Sequence, residues 1–333
     1  MAILLSFILS FIYAFMFPFA KSEGVIDSKN GGDPLIVQES GNFYYTYTTG
    51  NDIEISQIRN FDDTTVIRTE KVYSAGADDI VGDIWAPEMH KIGNRWYIIS
   101  CALFDKTVVT QGTMPEADGY QDHSDYYRYG FVLESESEDI FSKYTFKGII
   151  APEGMNNIDG TYLRKNGKLY YVCSAYVDVA HQCIFISEME NPYTLKKDSS
   201  GNTKAVKLSA PTHYWEKIGW KVNEGPSVLY KDNETYIVYS ASGFSSGFYC
   251  LGMIIFEGDD VMDAADWSKS QYRVYYDEPE KKIYNAGHCS FLYLENGDIY
   301  MVYHATSDKR FDKSPRLTHI KKVEFKDSKP CFM

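Results

Sequence analysis

Three observations in the 333-residue sequence predict an all-β fold, a five-bladed β-propeller with four-stranded antiparallel blades. First, a seven-residue pattern recurs five times: FYYTYTT from Phe43, WYIISCA from Trp96, LYYVCSA from Leu169, TYIVYSA from Thr235 and IYMVYHA from Ile299. Second, each copy follows a turn signal, in order Gly41-Asn42, Gly93-Asn94, Asn166-Gly167, Asp232-Asn233-Glu234 and Asn296-Gly297, with another short apolar run upstream. Each unit therefore reads as a β-hairpin. Third, the copies start 53, 73, 66 and 64 residues apart, which leaves room for four short strands per unit.

The units follow in order. The first runs through Asp33-Pro34 and Leu35-Ile36-Val37 to its repeat, with DIEISQI and TTVIRTEKVY as outer strands. The second, DIWAPEMHKIGNRWYIISCA, precedes the longest irregular insertion, Thr107 to Tyr129, expected either to rim a pocket or to be a solvated loop. The third holds NNIDGTYLRKNGKLYYVCSA, the fourth WKVNEGPSVLYKDNETYIVYSA and the fifth YNAGHCSFLYLENGDIYMVYHA. CIFISEM, YCLGMIIFEG and LTHIKKVEF supply outer strands after them.

Composition agrees. With 28 Tyr, 19 Phe and 5 Trp, and with Val, Ile and Thr crowding the short runs, strands are favoured over helices. One short helix is expected between Val261 and Trp267. A net charge of −13 argues against nucleic-acid or anionic-membrane partners and suits a neutral substrate such as a sugar.

Ala2 to Ala20 carry no charge. Residues 1–20 read as a secretory signal peptide, or as a signal anchor, since ~17–20 apolar residues just span a bilayer. Residues 25–333 then form one secreted propeller domain, a monomer with no membrane contact after cleavage. The six cysteines have no zinc spacing and suit an oxidising compartment without proving one. Cys173 and Cys183, on neighbouring strands, read equally as a cross-strand disulfide or as buried thiols.

Counting back 10 or 11 residues from each repeat reaches Asp33, Ala86, Asp159, Glu224 and His288. Four of these can do chemistry, and Ala86 is flanked by Trp85 and Glu88. In a radial arrangement the first strands line a shaft and these positions meet at one mouth. A β-sandwich gives no reason for polar anchors at a fixed offset. Locally, Asp33 in Asp-Pro and Asp159 in Asp-Gly could be turn residues, Glu224 a loop carboxylate and His288 a core histidine. At a shared mouth, Asp33 reads as a general base and Glu224 as a general acid. Asp159 reads as a third carboxylate that raises the acid's pKa by repulsion. Trp85 reads as a sugar platform or as core.

GGDPLIV, DIWAPE, NIDGTYL, VNEGPSVLY and AGHCSF together resemble the glycoside hydrolases of family 43, and within it the exo-acting α-L-arabinofuranosidases that trim arabinan. The resemblance implies single-displacement, inverting hydrolysis with Asp33 as base, Glu224 as acid and Asp159 tuning and orienting the acid. It implies substrate contact for Arg316, where a surface role is the alternative. It also implies a calcium or sodium ion in the shaft, held at His288 mostly through water, and no organic cofactor. The expected partner is a plant cell-wall polysaccharide or oligosaccharide releasing arabinose from α-1,5 linkages. A β-xylosidase or endo-arabinanase of the same family is the alternative, and a non-catalytic carbohydrate-binding propeller the rival from another class.

Overall fold

The computed structural model describes residues 23–27, 31–105, 126–178 and 181–333. The expected signal segment and nearly all of the Thr107–Tyr129 insertion lie outside these residues; the insertion's last residues open a regular strand, Tyr126–Ser135. Each repeat hairpin forms, and each builds a blade.

Blade I holds β2 (Leu35–Glu39), β3 (Asn42–Thr46), β4 (Asp52–Asn60) and β5 (Asp63–Ser74). Blade II holds β6 (Ile80–Ile92), β7 (Arg95–Asp105), β8 (Tyr126–Ser135) and β9 (Tyr144–Ile150). Blade III holds β10 (Asn157–Lys165), β11 (Lys168–Asp178) and β12 (His181–Asn191), with the short strands β13 (Thr194–Leu195) and β14 (Val206–Ser209) outside β12. Blade IV holds β15 (Lys221–Lys231), β16 (Glu234–Ala241), β17 (Cys250–Phe256) and β18 (Trp267–Lys269). Blade V holds β19 (Tyr284–Tyr293), β20 (Ile299–Thr306) and β21 (Leu317–Lys322).

The fourth strand of blade V comes from the other end of the chain. β1 (Glu23–Asp27) pairs antiparallel with β21, Glu23 opposite Lys321, and their side chains form an ion pair at 3.0 Å. The sequence reading placed no strand there. This pairing closes the ring, and the inner strands β2, β6, β10, β15 and β19 are neighbours in cyclic order. Between Val261 and Trp267 only a single 3-10 turn, Ala264–Asp266, forms in place of the expected helix. No helix among the described residues is long and apolar enough to cross a membrane.

The core is not central. It lies as five apolar layers, each between two adjacent blades. Ile53, Ile55 and Leu35 of blade I meet Met89, Trp96, Ile98 and Phe131 of blade II. The last layer, between blades V and I, joins Leu292, Tyr300, Val302 and Ile320 to Ile36, Tyr45 and Ile58. The repeat strand is thus covered on both faces, which is why it reads as a continuous apolar run and not as strict alternation. Each buried Ile or Leu side chain contributes about 1.5–3 kcal/mol.

All six cysteines are free, and the disulfide reading of Cys173 and Cys183 is overturned. Cys173 faces Phe185 and Cys183 faces Ala175 across β11 and β12, so the two thiols are not opposite one another. A reducing agent is expected to leave the thermal midpoint of the folded protein unchanged. A drop in that midpoint on reduction contradicts this arrangement.

Candidate active site

One local feature recurs in every blade, within the inner strand or just before it. Asp33, Ala86, Asp159, Gly225 and His288 hold left-handed backbone, with φ of 59°, 48°, 55°, 53° and 44°. In blades II to V the ladder slips there, between Trp85 and Glu88, Ile158 and Thr161, Glu224 and Ser227, and Gly287 and Ser290. Such a bulge breaks the strand's alternation and re-aims a side chain. Asp159 and His288 enter one cavity at such bulges, and Asp33 enters it from a left-handed position just before its strand. Blade IV differs by one residue: the left-handed position is Gly225, and Glu224 stands just before it. Glycine suits that place, because a Cβ would lie 3.1 Å from the His288 ring.

A buried N–H needs an acceptor, and the ring supplies one from the neighbouring blade. The sixth residue of each repeat is Thr48, Cys101, Ser174, Ser240 or His304. Thr48 Oγ1 accepts the Ala86 N–H at 2.7 Å, and Ser240 Oγ accepts that of His288 at 2.7 Å. His304 Nδ1 accepts the Asp33 N–H at 3.2 Å, and the Asp159 N–H addresses the Cys101 sulfur. Blade IV is again the exception. Ser174 Oγ donates to the Asn223 carbonyl at 2.9 Å, which leaves the Gly225 N–H to donate to Asp159 Oδ2 at 2.9 Å. The third carboxylate is thereby tied to the strand that carries the candidate acid.

Asp33, Asp159, Glu224, His288, Trp85 and Arg316, all six residues singled out in the sequence, line the same cavity of about 310 Å³. Their environments differ. Burial favours protonation of Asp33, but the charges of His288 and Arg316 outweigh it and hold the carboxyl well below the usual range. His288 Nδ1 lies 3.2 Å and Arg316 Nη1 3.6 Å from Asp33 Oδ1, while Thr48 Oγ1 donates to Oδ2 at 2.6 Å. The glycine just before Asp33 makes this possible. A Cβ on Gly32 would stand 2.4 Å from the Arg316 guanidinium carbon, and the Gly31 N–H donates to the Arg316 carbonyl at 2.8 Å.

Glu224 is pushed the other way, up to about 8, by burial first and then by Asp159. Its Oε1 accepts the Tyr249 hydroxyl at 2.8 Å. Asp159 is also raised, by burial first, against the pull of His288 and the Gly225 N–H. His288 is raised although burial opposes it, because Asp33, Asp159 and Glu224 all favour its charged form. His304 is buried and held neutral, with its ring stacked on Tyr249 at 5.8 Å.

Trp85 is partly exposed in the cavity, not core, and the Arg128 guanidinium covers one ring face at 3.5 Å from the centroid. Arg128 in turn donates to the Asp83 carbonyl and carboxylate, at 3.0 and 2.9 Å. Among the described residues no group of three or more His, Cys, Asp or Glu side chains is placed to hold a metal directly. His288, the residue expected at such an ion, lines the cavity beside His304, and no chemical step is routed through an ion.

Thr48, Tyr249 and His304 were not among the residues expected at the site. Thr48 and His304 carried a signal, a hydrogen-bonding group in the sixth column of the repeat. Tyr249 lies outside the repeat and carried none.

One carboxylate held ionised and another held protonated in a single cavity is the equipment of a glycoside-cleaving acid/base enzyme. Residues 24–330 match Glycosyl hydrolases family 43, and the chain belongs to that family. It is 30% identical over 294 residues to an extracellular exo-α-(1→5)-L-arabinofuranosidase of Streptomyces chartreusis, across 85% of this chain and 82% of that one. It is also 30% identical over 318 residues to α-L-arabinofuranosidase 43 of Humicola insolens, across 89% of this chain but 60% of the relative. This chain thus spans about three fifths of the length of the Humicola insolens enzyme. The solved structure of an α-L-arabinofuranosidase from Lactobacillus brevis superposes with a TM-score of 0.78 at 28% identity, over 91% of this chain and 94% of the other.

Proposed function

We propose that this glycoside hydrolase releases L-arabinofuranose from the non-reducing end of α-1,5-linked arabinan or arabino-oligosaccharides, in one inverting displacement. The observation that carries the chemistry is the divergence of Asp33 and Glu224 within one cavity. Asp33 takes a proton from water as the water oxygen bonds to the anomeric carbon. The bond from that carbon to the glycosidic oxygen breaks, and the leaving oxygen receives the Glu224 proton. Asp159 keeps that proton on Glu224 at neutral pH by its proximity and orients the acid through Gly225. Arg316 and His288 keep Asp33 ionised, and Trp85 offers a ring face to the sugar. No organic cofactor is needed, and His288 is the residue that would hold an ion in the shaft, mostly through water. The extracellular relatives support a secreted enzyme meeting plant cell-wall polysaccharide. Similarity to exo-acting arabinofuranosidases supports the arabinose and exo assignments over a β-xylosidase or endo-arabinanase.

Paired assays on an aryl α-L-arabinofuranoside and an aryl β-D-xyloside test the sugar, and product sizes from linear arabinan test the mode of attack. Arabinose as the sole early product supports the proposal; long oligosaccharides or a xyloside preference sinks it. The pH profile follows from the two carboxylates. kcat/KM is expected to fall as pH rises through about 8, where Glu224 loses its proton. The acid limb should lie below the ordinary carboxylate range near ~3.9, because Asp33 stays ionised there. An acid limb at pH 6 contradicts these assignments.

A further inference from the structure

Outside the reacting groups, the most elaborate buried polar cluster is in blade IV. Glu216, in the turn Tyr214–Glu216, is fully buried. Its Oε1 pairs with Lys269 Nζ at 2.5 Å and accepts from the Tyr239 hydroxyl at 2.8 Å and Asn223 Nδ2 at 3.0 Å. Its Oε2 accepts the His213 N–H at 2.7 Å. Lys269 Nζ also donates to the Ala210 carbonyl at 2.7 Å and to Asn223 Oδ1 at 3.4 Å. Such a pair stabilises a fold little better than apolar packing of the same volume, so its use here calls for another reason.

Asn223 supplies the reason. It immediately precedes Glu224 and has no exposed surface. Its amide nitrogen is held by Glu216, its amide oxygen by Ser209 Oγ at 2.6 Å, and its carbonyl by Ser174 of blade III. On the other side of Glu224, the Gly225 N–H is held by Asp159. The acid's backbone is clamped before and after, at a bulge where the regular ladder gives no support.

We infer that the Glu216–Lys269 pair is a positioning device for the general acid, acting through Asn223 on the placement of Glu224. The role rests on the acid/base reading above. A misplaced acid harms reactions in proportion to how much protonation the leaving group needs, while binding and water attack are spared.

The test compares the parent with Glu216→Gln/Lys269→Met, which removes both charges together and keeps side-chain volume. Arabinotriose has a poor leaving group, and 4-nitrophenyl α-L-arabinofuranoside a good one. The double variant should lose about tenfold or more in kcat on arabinotriose, with KM shifted less than about twofold. Its loss on the nitrophenyl substrate should stay under about threefold. Should the double variant fail to fold, as judged by thermal unfolding, Asn223→Ala leaves the ion pair whole, cuts its link to the strand and should show the same split. Equal losses on both substrates, or parent kinetics on both, overturn the inference. Parent turnover and its loss in Glu224→Gln are measured first. An inactive parent takes down both readings, whereas an active parent with an unselective double variant takes down only the positioning role.

Discussion

Replacing Glu224 with Gln is expected to lower kcat on an arabino-oligosaccharide by about 10²–10⁴-fold, the usual worth of general acid catalysis. Glutamine keeps the size of the side chain and can still accept from the Tyr249 hydroxyl, but it has no proton to give. The loss should shrink on a nitrophenyl glycoside, whose leaving group departs without help. The same substitution should stabilise the fold. With the folded-state pKa near 8 against an ordinary value of 4.5, the folded protein binds more protons than the unfolded chain between those pH values. Stability therefore falls as pH rises through that window. Glu224→Gln escapes this cost, which is at most a few kcal/mol at pH 8 and vanishes below pH 4. Thermal unfolding of parent and variant at pH 4 and pH 8 measures it; a variant less stable than the parent at pH 8 contradicts the raised pKa.

Asp33→Asn should be at least as damaging, about 10³-fold in kcat, with a different signature. Without a base the water is not activated whatever leaves, so poor and good leaving groups should suffer alike. The asparagine also leaves Arg316 and His288 facing a neutral amide at the distances where they met a carboxylate. His288 loses the first of the carboxylates that raise it and should shift to a lower pKa, which a histidine NMR titration would detect. Retention of parent turnover on either substrate removes Asp33 from the reaction.

What was legible in the chain was whatever the hairpin repeats. A middle strand packed on both faces needs a continuous apolar run, so Trp96–Ala102 and its four counterparts were visible without structure. The hairpin register then fixes how far back the inner strand begins, which located Asp33, Asp159 and His288. The one-residue offset in blade IV was hidden, because a bulge at Gly225 leaves no mark in composition. Closure by Glu23–Asp27 was hidden as well, since five residues pairing across nearly the whole chain show no alternation. The reason for Gly32 was hidden too: it is the guanidinium of Arg316, remote in sequence. The sixth-column residues were visible as polar exceptions, but their partners lie mostly on the next blade. Tyr249, Glu216 and Lys269 act only through contacts that the folded ring creates.

The central claim is that Asp33 and Glu224 act together on one bond in a single displacement. A proton NMR time course on an aryl α-L-arabinofuranoside tests it most directly, because it reports turnover and the configuration of the first sugar released. The β-anomer of arabinofuranose should appear first and then equilibrate with the α form, and neither should form with Glu224→Gln on an oligosaccharide substrate within the parent's time course. First appearance of the α-anomer, or parent-rate release by that variant, contradicts the claim.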